Sequence, residues 1–252
     1  MAQRCFEEQN HGQTIRGTVY LPDGEARHPV AVLVHGFTGN RFETGFLFVK
    51  LGRALAERGI AAVTFDCRGS GDSDGRFEQM LVTGELSDLI AVTQWASRQP
   101  FADRSRMGLL GFSLGGLLAA CAMARTSVYQ SLVLLAPTTV ENLCRFAGDS
   151  QRPVDPVTVG PHRLHPEFFD DLRTLDPLAD VTHHQGRTLL LQGTADEAVT
   201  PDVSREFVDA LQHANHPVRH QLIDGANHGW ATPEHQQRVI DETASFFAET
   251  LL

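Results

Sequence analysis

Short apolar runs alternate with longer segments of helical period along this chain, and that order leaves few architectures open. Residues 14–21 alternate, with Ile15, Val19 and Leu21 on one side, and read as a half-exposed strand ending at the Pro22-Asp23-Gly24 turn. Residues 30–34 are continuously apolar, the pattern of a strand covered on both faces. Residues 46–58 place Phe46, Val49, Leu51, Ala54 and Leu55 at helical spacing and stop at Gly59. Further strands are expected at 60–65, 107–110 and 132–135, with helices at 86–96 and 114–124. Strands at 188–192 and 218–223 follow. Each leads to a helix opened by Thr200-Pro201 or Thr232-Pro233, with threonine at the cap and proline at the first helical position. The order predicts an α/β fold, a mostly parallel central sheet flanked by helices.

One segment breaks the alternation. Pro137, Pro153, Pro156, Pro161, Pro166 and Pro177 are six of the 12 prolines. Crowded this way, they are expected to prevent a regular helix or a central strand. Residues 137–185 therefore read as an irregular insertion, a small lid or cap within a single domain over residues 1–252.

Composition removes several function classes. With 42% hydrophobic and 21% charged residues the chain is globular, and no apolar run approaches the ~18 residues of a membrane span. A net charge of −10 argues against nucleic acid as a partner, because phosphate binding needs clustered Lys and Arg. The first 13 residues lack the apolar core of a secretion signal. Cys5, Cys67, Cys121 and Cys144 have neither zinc nor redox spacing. Free thiols and a cytoplasmic address are the expectation.

Chemistry enters with Gly111-Phe112-Ser113-Leu114-Gly115, a G-x-S-x-G pattern between an expected strand and an expected helix. A tight turn there lifts a serine above the sheet edge, at the positive end of the helix dipole. A serine hydroxyl becomes a nucleophile only when a base takes its proton and an acid holds that base. Asp196 follows the strand at 188–192, and His228 follows the strand at 218–223. Both loops leave the carboxyl ends of strands, where open α/β sheets gather their sites. Glu197 and Asp224 are rival acids, set aside because Asp196 stands where its strand ends. Of the 12 histidines, His183 and His184 precede a strand, and His162 and His165 lie in the insertion. His213, His216 and His220 share no helical face across Pro217, so no metal site is expected. Two oxyanion donors are also required, and the N–H groups of Phe37 and Leu114 are the expected pair. Phe37 lies in His35-Gly36-Phe37-Thr38-Gly39, directly after a buried strand. His35 is expected to hold that loop, and the loop from Asp66 to Gly75 to pack beneath it.

Together these residues resemble the α/β-hydrolase superfamily over nearly the whole chain. A closer resemblance is to bacterial cinnamoyl (feruloyl) esterases. It rests on His35-Gly36-Phe37-Thr38-Gly39-Asn40-Arg41 and on Phe65-Asp66-Cys67-Arg68-Gly69-Ser70-Gly71-Asp72-Ser73-Asp74-Gly75. The resemblance implies a lid that helps hold a phenolic acyl group. Such lids often use a tyrosine, yet Tyr20 and Tyr129 both lie outside the insertion, whereas Phe168 and Phe169 lie within it. Phe168, Phe169 and Trp230 are therefore the expected substrate contacts. The expected activity is cofactor-free hydrolysis of small to medium or aryl esters by a monomer or homodimer. A thioesterase or peptidase of the same fold is the second reading, and a non-catalytic ligand-binding protein the third.

Overall fold

The apolar runs become the interior of one eight-stranded sheet in the computed structural model, which describes residues 1–148, 153 and 155–252. The strands are β1 (Ala2–Asn10), β2 (Gln13–Leu21), β3 (His28–Val34), β4 (Ala61–Phe65), β5 (Ala102–Phe112), β6 (Tyr129–Leu135), β7 (Val157–Val159), β8 (His162–Leu164), β9 (Arg187–Gly193) and β10 (Val218–Ile223). The large sheet runs β1-β2-β4-β3-β5-β6-β9-β10, and β7 pairs with β8 in a separate hairpin. In the large sheet β1 and β2 are antiparallel to their neighbours, and the pairings along β4-β3-β5-β6-β9-β10 are all parallel.

The helices are α1 (Leu47–Glu57), α2 (Val82–Arg98), α3 (Leu114–Met123), α4 (Val140–Phe146), α5 (Pro166–Leu172), α6 (Pro177–Val181), α7 (Pro201–His213) and α8 (Pro233–Leu251). Side chains of α1 and α8 cover one sheet face, and those of α2, α3 and α7 cover the other. Double cover is why β3 and β4 read as unbroken apolar runs. All ten residues of α3 are buried, so it carries no polar face. Of the two Thr-Pro openings, Thr232 caps α8 by accepting the His235 N–H at 3.2 Å, whereas Thr200 makes no side-chain cap bond.

One strand was not anticipated, and one expectation needs correction. Residues 2–10, which carry no clear period, form the edge strand β1. Only one face of that strand meets the core, where Phe6 stacks on Trp95 with ring centroids 3.9 Å apart. The proline-rich stretch also does not exclude helix, since α4, α5 and α6 lie within it. Pro166 and Pro177 stand in the first helical turn, where the missing N–H breaks no intrahelical bond. Asp176 adds a cap by accepting the Ala179 N–H at 3.0 Å. Among the described residues no helix is long and apolar enough to cross a membrane.

The interface of α2 with the segment after β4 holds an acidic pair. Asp88 is fully buried and accepts from the Arg68 backbone and guanidinium at 2.6–2.9 Å. Glu85, 2% exposed, lies one helical turn away. Burial, and then the Asp88 charge, push its carboxyl up to about 8. The native state therefore binds a proton that the unfolded chain, titrating near 4.5, releases. Stability from this group is fully present below the unfolded value and is lost as pH rises toward 8, by at most about 1.4 kcal/mol per pH unit. Glu85→Gln should flatten that slope, read from urea unfolding midpoints across the same pH window.

Candidate active site

β5 runs directly into α3 through Ser113, whose backbone takes φ 55° and ψ −115°. A non-glycine residue in that region costs on the order of 1–3 kcal/mol and is held there by its surroundings. The Ser113 N–H donates to Leu135 O at 2.9 Å, and its carbonyl accepts from the N–H groups of Gly116 at 2.9 Å and Thr138 at 3.2 Å. The flanking glycines are steric necessities. A Cβ on Gly111 would lie 2.1 Å from Gly115 O, and one on Gly115 would lie 2.2 Å from Val34 O. The turn thus brings β3, β5 and α3 closer than any side chain allows.

The loops after β9 and β10 meet Ser113 as one unit. Thr194 N–H donates to Ile223 O and Ala195 N–H to Ala226 O, each at 3.0 Å, and Gly225 N–H donates to Thr194 Oγ1 at 2.8 Å. Asp196 and His228 emerge from these joined loops. His228 Nδ1–H donates to Asp196 Oδ2 at 2.8 Å, and Ser113 Oγ–H donates to His228 Nε2 at 3.0 Å. An ionised carboxylate can only accept, so it selects the tautomer whose Nε2 lone pair faces the serine. Such an array lets the imidazole take the hydroxyl proton while the carboxylate compensates the resulting charge. The Asp196 side chain is wholly buried, and that of His228 is 26% exposed.

Asp196 is held by donors on both oxygens. Oδ1 accepts from the N–H groups of Ala198 at 3.0 Å and Val199 at 2.9 Å. Oδ2 accepts from Gln192 Nε2 at 3.1 Å as well as from His228. Gln192 is fully buried at the end of β9, and its amide also reaches Val199 O at 2.9 Å. The sequence reading missed this residue, because a glutamine inside an apolar strand is no motif. The rival acids stand apart: Glu197 is exposed, and Asp224 accepts from the Thr194 hydroxyl at 3.2 Å.

The loop after β3 brings Phe37 to the same place. His35 is buried, accepts the Cys67 N–H on Nε2 at 3.0 Å and donates from Nδ1 to Gly36 O at 2.8 Å. It thereby ties this loop to the Asp66 loop, as expected of a structural histidine. Arg41 adds a second tie, through its backbone N–H to Asp66 Oδ1 at 2.7 Å and its guanidinium to Asp66 and Asp72. Leu114 is the first residue of α3, where backbone N–H groups have no intrahelical acceptor. A further residue escaped the sequence reading. Glu43 Oε1 accepts the Gly36 N–H at 2.7 Å, holding the His35–Gly36 peptide, one residue before Phe37.

A cavity of about 250 Å³ opens beside Ser113 and His228. Phe37, Phe112, Leu143, Phe146 and Val199 supply its apolar wall, and Glu43, Thr138 and Asn142 its polar one. The expected contacts Phe168, Phe169 and Trp230 do not line it. Phe168 and Phe169 are 1% and 0% exposed because α5 turns them into the core beneath Phe37, with Phe168 at 5.9 Å from the Phe37 ring. Trp230 is buried on the opposite sheet face with α1 and α8. The aromatic wall comes instead from Phe37 and from Phe146 on α4, whose rings meet edge to face at 6.4 Å.

Residues 50–252 match the model of the prolyl oligopeptidase family. The chain belongs to that family. It is 40% identical over 99 residues to an uncharacterized 31.7 kDa protein from the traX-finO intergenic region of Escherichia coli, covering 39% of this chain and 34% of that one. It is 27% identical over 247 residues to dipeptidyl aminopeptidase BIII of Pseudoxanthomonas mexicana, covering 91% of this chain and 34% of that one. The chain thus spans about a third of the length of these curated relatives. Among solved structures, Est1E from Butyrivibrio proteoclasticus with ferulic acid bound superposes with a TM-score of 0.86. That pair is 23% identical and covers 97% of this chain and 98% of the other. The similarity shows the α/β-hydrolase fold.

Proposed function

We propose that this chain is a serine hydrolase that cleaves carboxylic esters of small to medium size through an acyl-enzyme. The observation that carries the reading is the continuous hydrogen-bonded array Ser113–His228–Asp196 facing a cavity of about 250 Å³. His228 Nε2 takes the Ser113 proton as Oγ bonds to the ester carbonyl carbon, and Asp196 stabilises the imidazolium. The oxyanion is received by the N–H groups of Phe37 and Leu114. When the C–O bond to the alcohol breaks, His228 returns the proton to the departing oxygen. Water then attacks the acyl-enzyme by the same steps, releasing the acid and restoring Ser113. No cofactor takes part.

Aryl esters, including cinnamoyl-type ones, are within this reading, because Phe37 and Phe146 offer ring surface at the cavity. Amide or peptide cleavage is the second reading, favoured by membership of the prolyl oligopeptidase family and by the likeness to a dipeptidyl aminopeptidase. A panel of p-nitrophenyl acyl esters, methyl ferulate and aminoacyl p-nitroanilides separates the two. Esters should be turned over at the higher kcat/KM. Faster turnover of the anilides would replace the esterase reading with the peptidase one. A fluorophosphonate probe should label Ser113 in a His228-dependent way, and absence of labelling would leave only a ligand-binding role.

A further inference from the structure

The cavity beside Ser113 has an uneven charge that the triad does not explain. Of the described residues lining it, Glu43 alone brings a full carboxylate charge, and none is Lys or Arg. No cationic side chain among the described residues pairs with Glu43, whereas nearby Arg41 is committed to Asp66 and Asp72. Two backbone groups hold the carboxylate: Gly36 N–H donates to Oε1 at 2.7 Å and Thr44 N–H to Oε2 at 3.1 Å. Each oxygen keeps acceptor capacity beyond that single bond.

Local geometry shows that the chain is bent to keep this group in place. Glu43 has φ 57° and ψ 166°, at the border of a region occupied almost only by glycine. Gly39 leaves the room the carboxylate needs, since a Cβ there would lie 2.7 Å from Oε1. A neutral acceptor could also take the Gly36 N–H, in a weaker bond than a carboxylate makes. A negative charge next to a site where an oxyanion develops opposes that oxyanion. Besides holding the loop, the carboxylate offers its charge to a positive group in the cavity. The rings of Phe37 and Phe146 line the same space, and aromatic faces attract cations as well.

We infer that Glu43, with Phe37 and Phe146, forms a subsite for a cationic group on the substrate, an alkylammonium close to the scissile acyl bond. The inference rests on the proposed hydrolase activity and deepens it: anionic esters are repelled, neutral ones accepted, and cationic ones preferred.

Two matched substrate sets test it. In the first, p-nitrophenyl esters of one chain length end in trimethylammonium, tert-butyl or carboxylate. In the second, choline butyrate is paired with its tert-butyl isostere. Together they locate the cation on the acyl or the alcohol side. In at least one set the cationic ester should exceed its neutral isostere by about tenfold in kcat/KM, carried by KM, as expected for one partly solvated charge. In Glu43→Gln the cation-to-neutral ratio should fall to near one. That ratio is internal to each variant, so a general loss of rate does not affect it. If the variant fails to fold, the native chain still decides, since raised ionic strength should shrink the cationic preference but leave the neutral ester's rate in place. A ratio near one in both sets, a preference for the carboxylate ester, or a ratio unaltered by both Glu43→Gln and salt overturns the inference. If the neutral esters themselves are not hydrolysed, it is the hydrolase reading that falls, and this subsite with it.

Discussion

Ser113→Ala is expected to lower kcat/KM toward p-nitrophenyl esters by roughly 10⁴-fold or more, with KM little altered. The loss is that large because Ser113 Oγ supplies the bond that forms in the first step and is the atom facing His228 Nε2 at 3.0 Å. What survives is the contribution of the oxyanion donors and of substrate binding. Folding should be untouched. Ser113 is held through its backbone bonds to Leu135, Gly116 and Thr138, and removing Oγ from a residue 9% exposed opens no large void. Thermal unfolding within about 2 °C of the native chain, together with a steady-state assay, checks both halves. Near-native turnover in this variant would remove Ser113 from the mechanism.

Asp196→Asn should cost a comparable factor, about 10⁴-fold in kcat, although it changes one atom for another of similar size. Every partner of the carboxylate is a donor: Ala198 and Val199 N–H on Oδ1, Gln192 Nε2 and His228 Nδ1–H on Oδ2. An amide in this place must point its own NH₂ at donors, whichever way it is turned. Turned toward the two backbone N–H groups it leaves both unsatisfied, and Gln192 cannot reverse without facing Val199 O with its own oxygen. The arrangement of least conflict has the Asn NH₂ donate to His228 Nδ1. The ring then carries its proton on Nε2, facing Ser113, and cannot accept another. The expected signature is a kcat that recovers at high pH, where hydroxide replaces the lost base, with KM nearly constant. A kcat within tenfold of native at neutral pH would show that the Asp196–His228 contact does not set the tautomer.

Much of this site was legible in the chain because its parts are local. Gly111, Ser113 and Gly115 lie within one turn, and the short-range clash a Cβ on Gly111 would make with Gly115 O demands glycine there. Asp196 and His228 could be chosen from several acids and 12 histidines because each stands just past the end of an expected strand. His35 also follows an apolar strand; its place in the loop that carries Phe37 set it apart from His228, and its bonds to Gly36 and Cys67 agree with a holding role. The edge strand β1 was not legible. Its pairing with β2 is backbone hydrogen bonding, which any sequence can make, and only Phe6 leaves an apolar mark. The short helices of the proline-rich segment were hidden by a rule that holds for helix interiors but not for first turns.

The sequence by itself determined the α/β order, the serine turn, and the choice of Asp196 and His228 as its partners, since periodicity and strand-end position are properties of neighbours along the chain. Only the tertiary structure decided what surrounds them. It turned Phe168, Phe169 and Trp230 into the core, and brought Phe37 and Phe146 to the cavity wall from segments more than a hundred residues apart. It also set Gln192 against Asp196 and aimed the carboxylate of Glu43 at the loop that holds Phe37. The reason is physical. Which side of a short helix or loop faces a cavity depends on what packs behind it, and that partner lies elsewhere in the chain.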